Sequence, residues 1–360
     1  MKNLIFATLA IVLLYSCSTV HSGFFSEKDA RPLPGEIKRP LAYEQSIMDE
    51  VRTCDGRPGP AYWQQFTEYS IEAYLEPESY TLSGTVDITY FNHSPDTLNE
   101  LQLELVQNIH SEEAPKLRPT EITGGMHIDN VAAQAKSLEQ NIDHGHGYLI
   151  DGTRMVVFLP EPLIPSDSTS LSMDFSFKIP QRGAGGRMGH SRDNLFYLGY
   201  WYPHMVVYDD VVGWHPDPFL GQAEFYHGFA DYHLTLFAPE NWLVMATGDF
   251  LNPEEVLSPG VYSRWMEAWN SDEPVMVYDD DPDKPATLSY EKHRTKREPS
   301  GNIAEGRLLA WEFQAENVRD VAFSATRHSF WEAARTPVGD LTGNGETDYT
   351  LINTFWRDKA

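Results

Sequence analysis

Through the middle of the chain, apolar and polar residues alternate with a period of two. Tyr69, Ile71, Ala73 and Leu75 alternate with Ser70, Glu72 and Tyr74. Tyr80, Leu82, Val86, Ile88 and Tyr90 alternate with Thr81, Ser83, Asp87 and Thr89. Successive side chains of a strand point to opposite faces, so the pattern predicts two strands with one buried face each. Glu76-Pro77-Glu78-Ser79 between them predicts a hairpin turn. After a turn at residues 92–96, Leu101, Leu103 and Leu105 begin a third strand. Residues 148–150 and 155–159 flank Asp151-Gly152, a dipeptide suited to a tight hairpin. Leu171, Met173, Phe175, Phe177 and Ile179 alternate once more. Residues 63–180 thus predict antiparallel sheet with little helix. Further strands are predicted over residues 232–236, 242–246 and 308–313, and a short helix near the start of residues 315–327.

The N-terminus follows another pattern. Lys2 precedes a nearly unbroken apolar run over residues 4–14, which ends in Leu14-Tyr15-Ser16-Cys17. Residues 1–16 read as an export signal, and the sequence around Cys17 resembles a bacterial lipobox, in which that cysteine takes the lipid. The other reading is cleavage after Ser22, which leaves a plain secreted chain. No later stretch approaches eighteen apolar residues. Residues 17–60 are polar and proline-punctuated, a tether with one short helix near residues 43–51. With Cys17 lipidated, Cys54 is the only thiol and no intramolecular disulfide forms.

Composition narrows the function classes. Of 360 residues, 53 are Asp or Glu against 27 Lys or Arg, a net charge of −26. Such a surface repels phosphate backbones and argues against nucleic acid as a partner. The 25 glycines and 24 prolines favour short strands over a helical bundle.

Zinc hydrolysis most simply uses H-E-x-x-H on a helix, and none of the thirteen histidines is followed by Glu. Asp143-His144-Gly145-His146 lies in a polar loop with no fixed third ligand, and Glu224-x-x-His227 lacks helical periodicity around it. Asp340, Thr342, Asn344 and Asp348, with Gly345 at position six, follow the oxygen spacing of an EF-hand-type calcium loop. Position twelve is Leu351 rather than Glu, so the segment reads either as weak calcium binding or as an acidic turn. G-x-S-x-G is absent, and Gln181 to Gly189 is a Gly- and Arg-rich loop without the phosphate-cradle pattern.

Several segments together resemble the zinc aminopeptidases of the aminopeptidase N type. They are Trp63-Gln64-Gln65 through Asn92-His93-Ser94-Pro95-Asp96-Thr97-Leu98; Gly199-Tyr200-Trp201-Tyr202-Pro203; Val207-Tyr208-Asp209-Asp210 with Gly213-Trp214; Pro218-Phe219-Leu220-Gly221; Glu224-Phe225-Tyr226; Ala246-Thr247-Gly248; and Glu316-Asn317-Val318-Arg319-Asp320-Val321-Ala322-Phe323. The resemblance implies a mainly β fold, with a large antiparallel, saddle-like β-sandwich over residues 61–330. Residues 331–360 would be a linker and the first strand of a thermolysin-like catalytic domain. In the parent enzyme two His and a Glu hold zinc and peptides are the substrates; none of those catalytic or metal residues matches here, so this chain is expected to carry no zinc and no activity. Gly124-Gly125-Met126-His127 superficially matches the family's amine-binding motif but lacks its Glu. Trp201, Tyr202 and His204 would wall one side of the substrate cleft. The rival class is a free-standing β-sandwich lipoprotein that binds sugar or protein through its aromatic segment. Either way the expected location is extracytoplasmic, periplasmic or cell-surface, with the lipid at Cys17 holding the chain to the outer membrane. The apolar strand at residues 349–356 is expected to lack partners and to be mobile.

Overall fold

The computed structural model describes residues 38–143, 145–191, 195–215, 217–222, 226–294 and 307–357. The export signal, Cys17, His144 and Glu224 lie outside the described residues. Among those described, no helix is long and apolar enough to cross a membrane.

The hairpin forms where the alternation places it. Phe66–Glu76 and Thr81–Phe91 pair antiparallel from Phe66↔Phe91 to Glu76↔Thr81. Ile71, Leu82, Val86 and Ile88 are fully or almost fully buried on one face. The hairpin is the centre of an eight-stranded sheet. On one side Ser168–Lys178, Met126–Ala133 and Lys136–Ser137 follow in order, and on the other Ala230–Pro239, Leu308–Val318 and Asp249–Phe250. One junction is parallel, with Thr67 opposite Ala230 and Tyr74 opposite Phe237. A parallel neighbour needs a long crossover. The chain uses that interval to build a five-stranded sheet of His204–Met205, Leu98–Glu104, Arg154–Leu163, His146–Asp151 and Ile142–Asp143. Leu101, Leu103, Met155 and Val157 from this sheet join Ile71, Met173 and Phe175 from the first in one buried core. The architecture is mainly β with several antiparallel sheets, as a β-sandwich requires.

Several local expectations are corrected. Residues 315–318 are not helical: they continue Leu308–Val318, because Ala230↔Val318 and Tyr232↔Ala315 complete the ladder. Phe323–Thr326 is a strand paired on both edges, by Leu195–Leu198 and Leu243–Ala246. Such pairing overrides local propensity. The strand at 243–246 therefore belongs to a different sheet from Ala230–Pro239, although a short turn joins them. Helices Pro253–Val256 and Pro259–Ala268 were not anticipated; the second buries Val261, Trp265 and Ala268, spaced along one face.

The last strand is not alone. Asp348–Trp356 pairs with Phe330–Gly339 from Gly339↔Asp348 to Phe330↔Trp356, and Val275–Tyr278 flanks the hairpin. Trp331 is fully buried, stacks on Phe355 at 5.2 Å and donates to Asn353 Oδ1 at 3.0 Å. The expected linker supplies the missing partner. At the other end, residues 38–60 fold against the body. Helix Leu41–Met48 buries Ser46, Val51 is buried, and Arg52 makes two 2.7 Å hydrogen bonds to Asp210.

Candidate functional site

A cleft of about 160 Å³ opens where the parallel junction meets the five-stranded sheet. Trp63, Tyr69, His204, Tyr208, His227 and Arg319 are among its lining residues. The strand end at His204–Met205 delivers His204 beside Glu104, its register partner in Leu98–Glu104. The segment entering Ala230–Pro239 delivers His227, and the turn leaving Leu308–Val318 delivers Arg319 and Asp320.

Inside this seam the imidazoles of His204 and His227 stack at 3.7 Å, with 19° between their planes. Both residues are buried. His204 Nδ1 lies 2.8 Å from the Met205 carbonyl oxygen, so that nitrogen carries the proton in the neutral ring. Its Nε2 has the Tyr232 hydroxyl and the Arg319 carbonyl oxygen at 3.3 Å each. His227 sits between two carboxylates, with Nδ1 3.8 Å from Asp320 Oδ2 and Nε2 3.8 Å from Glu104 Oε2. The other Asp320 oxygen accepts from the Tyr202 hydroxyl at 2.9 Å and from the Val321 N–H at 2.8 Å. The ligating atoms of His204, His227 and Asp320 all lie within 4.8 Å of one another.

Burial sets the electrostatics. It drives His204 well below the ordinary histidine range, and the neighbouring His227 adds to the effect, so His204 is neutral at neutral pH. Burial also raises Asp320, against the opposing pull of His227 and the Tyr202 hydrogen bond. Tyr69 and Tyr202 are pushed well above the usual phenol range, by burial first. The cluster thus offers an imidazole lone pair and a carboxylate at a partly open seam.

The residues singled out from sequence fall in different places. Trp201 is fully buried and donates to the Val321 carbonyl at 3.0 Å, so it is core. Tyr202 is 1% exposed and His204 4%; both belong to the cluster, and only His204 reaches the cleft. Asp340, Thr342 and Asn344 lie in the exposed connection of the last hairpin, and Asp348 begins its second strand. There Asp340 accepts from the N–H groups of Asn344 and Gly345, and Asp348 from those of Leu341 and Thr342. Asp209 meets His215 at 2.8 Å and Asp210 meets Arg52 at 2.7 Å. Cys54 is exposed.

Nothing in the local sequence marks Glu104 or Asp320 as site residues, and around His227 it shows no helical periodicity. Their partners lie 93 to 216 positions apart in pairs such as His227–Asp320 and Glu104–Asp320, so no local spacing could announce them. The one signal was that Arg319-Asp320 falls in a segment that carries the family resemblance.

No family profile matches the chain, and neither does any curated protein. Solved structures do. The M1 zinc metallopeptidase of Deinococcus radiodurans is 12% identical, over 82% of this chain and 48% of that one, with a TM-score of 0.41. A mutant of that enzyme bound to a Tyr-Ser-Ala substrate aligns at 12% identity, over 82% and 49%, with a TM-score of 0.42. A mutant two-domain M1 zinc metallopeptidase bound to L-arginine aligns at 11% identity, over 82% and 49%, with a TM-score of 0.41. The chain spans about half the length of these proteins.

Proposed function

We propose that the chain is the N-terminal β domain of an exported zinc aminopeptidase that removes N-terminal residues from peptides. One observation carries the reading. Two segments on which the sequence resembles that family, around Trp201-Tyr202 and around Asp320-Val321, lie more than a hundred residues apart yet lock together. Tyr202 donates to Asp320 and Trp201 to the Val321 carbonyl. Coincidental matches scattered along a chain have no reason to pack against one another. In this reading the domain walls the peptide-binding cleft with surface such as Trp63 and the exposed Tyr226, while Tyr202 and His204 support that wall from behind. In this reading zinc would be held by residues of a catalytic domain and would supply Lewis-acid activation of water and of the scissile carbonyl. A lipid on Cys17 anchors the protein outside the cytoplasm.

The stacking surface required by the sugar- or protein-binding alternative loses Trp201 and Tyr202 to the core. The test is to express the whole reading frame and follow hydrolysis of aminoacyl anilides with and without chelator. Chelator-sensitive release is expected. A reading frame without a downstream H-E-x-x-H, or no release from any aminoacyl anilide, overturns the proposal. Labelling with a palmitate analogue tests the anchor: wild type should take up label and Cys17→Ser should not.

A further inference from the structure

We propose that His204, His227 and Asp320 form a binding site for a divalent first-row transition metal ion, which pins the two sheets together at the cleft. The proposal is independent of the aminopeptidase reading and departs from the expectation of no metal in this chain.

The donor set is two imidazoles and a carboxylate, the nitrogen and oxygen chemistry that zinc and its neighbours take. The groups around the donors are those that orient metal ligands. A ligating histidine typically gives its other ring nitrogen to a carbonyl or carboxylate. His204 Nδ1 has the Met205 carbonyl at 2.8 Å, so Nε2 is the nitrogen for a metal, which would displace its present 3.3 Å contacts with the Tyr232 hydroxyl and the Arg319 carbonyl oxygen. His227 Nε2 faces Glu104 at 3.8 Å, which leaves Nδ1 on the Asp320 side. Asp320 keeps Oδ2 toward His227 while Oδ1 is held by Tyr202 and the Val321 N–H. Two carboxylates, Glu104 and Asp320, face the site; Arg154 lies opposite Glu104 in the strand register, and Arg319 is exposed with its guanidinium 4.7 Å over the Phe229 ring.

Ligands on a tetrahedral ion with bonds of about 2.0–2.2 Å sit roughly 3.3 Å apart. The present limit of 4.8 Å requires closure by up to about 1.5 Å, and the stacked rings must tilt apart to aim at a common point. The cleft leaves room for water as a further ligand. The three donors come from the strand end at His204, the segment before Ala230–Pro239 and the turn after Leu308–Val318. An ion here joins the edge of one sheet to two elements of the other.

The test uses the 360-residue chain, stripped with chelator and titrated with zinc by calorimetry and with cobalt by visible absorption. One ion per chain is expected, with cobalt bands of a four- or five-coordinate site and a higher unfolding temperature in the presence of zinc. Asp320→Asn keeps the shape and an acceptor for Tyr202, and should weaken binding about 10–100-fold or more, as should His227→Gln; Glu104→Gln, behind the ligand, should cost about 10–100-fold. His146→Gln, outside the cluster, should change nothing. Zinc well below one ion per chain in the wild type overturns the proposal. So does undiminished binding in folded Asp320→Asn, which would put the ion elsewhere. If His227→Gln fails to fold, the isosteric Asp320→Asn decides.

Discussion

Tyr202→Phe isolates one interaction at the centre of the cluster. Tyr202 is 1% exposed, and its ring meets Trp201, Tyr69 and Tyr232 edge-on at 5.2–5.9 Å. Phenylalanine keeps those contacts and deletes one oxygen. What is lost is the 2.9 Å hydrogen bond to the Asp320 carboxylate and a 3.0 Å contact with the Tyr232 hydroxyl. A hydrogen bond to a charged group is worth about 1.5–3 kcal/mol. Asp320 is only half-buried and keeps the Val321 N–H, so water can replace part of the loss. Tyr232 keeps His204 Nε2 within 3.3 Å. The expected cost is therefore at the lower end, about 1.5–2 kcal/mol. Urea unfolding of the metal-free chain at neutral pH measures it as a shift in midpoint with the slope unchanged. In an Asp320→Asn background the acceptor is neutral, and the same change should cost only about 0.5–1.5 kcal/mol. Equal costs in both backgrounds would refute the claim that the hydroxyl holds a charged carboxylate.

Two further outcomes follow from the geometry. Amide hydrogen exchange in Asp348–Trp356 should be slowed by pairing with Phe330–Gly339, and exchange as fast as in the loop at residues 340–347 would contradict the hairpin. The metal-free protein should lose stability as pH falls below about 6.5, because the unfolded chain then binds a proton that buried His204 refuses; buried His110 acts in the same direction. Asp320, raised by burial, works oppositely at lower pH, since the folded state binds its proton first. His227, Glu104 and Arg319 also face His204 or its partners, so the His204 share is read by difference. The slope of unfolding free energy against pH just below 6.5 should flatten in His204→Asn, and an unchanged slope would remove His204 as its source.

The hairpin at 66–91 and the strand at 168–178 were legible because each buries one face, and a period of two leaves only one way to do so. Phe330–Gly339 was not. Pro337 and the polar residues from Glu332 onward resemble a linker, and the ladders with Asp348–Trp356 and Val275–Tyr278 make it a strand. The region at 315–326 failed for the opposite reason. Its composition suits a helix, but three pairings made by distant strands decide its conformation. Sequence pattern records what a segment does to its own faces, not which neighbour will reach its edge.

The polar cluster was legible least, and the reason bears on its meaning. A seam between two sheets is most cheaply filled with apolar side chains, as Leu101, Leu103, Ile71 and Phe175 fill the rest of it. Here the chain places Tyr69, Tyr202, Tyr232, His204, His227 and Asp320 instead, each within reach of another polar group. The tyrosines and histidines are desolvated and Asp320 partly so, which disfavours the charged forms of His204 and Asp320. A scaffold role alone gives no return for that cost, since an apolar replacement of similar volume is often neutral or stabilising. The places where a sequence breaks its own packing rules are where function is to be sought. In this molecule the break coincides with the junction of the two sheets, with the cleft, and with the segments that carry the family resemblance.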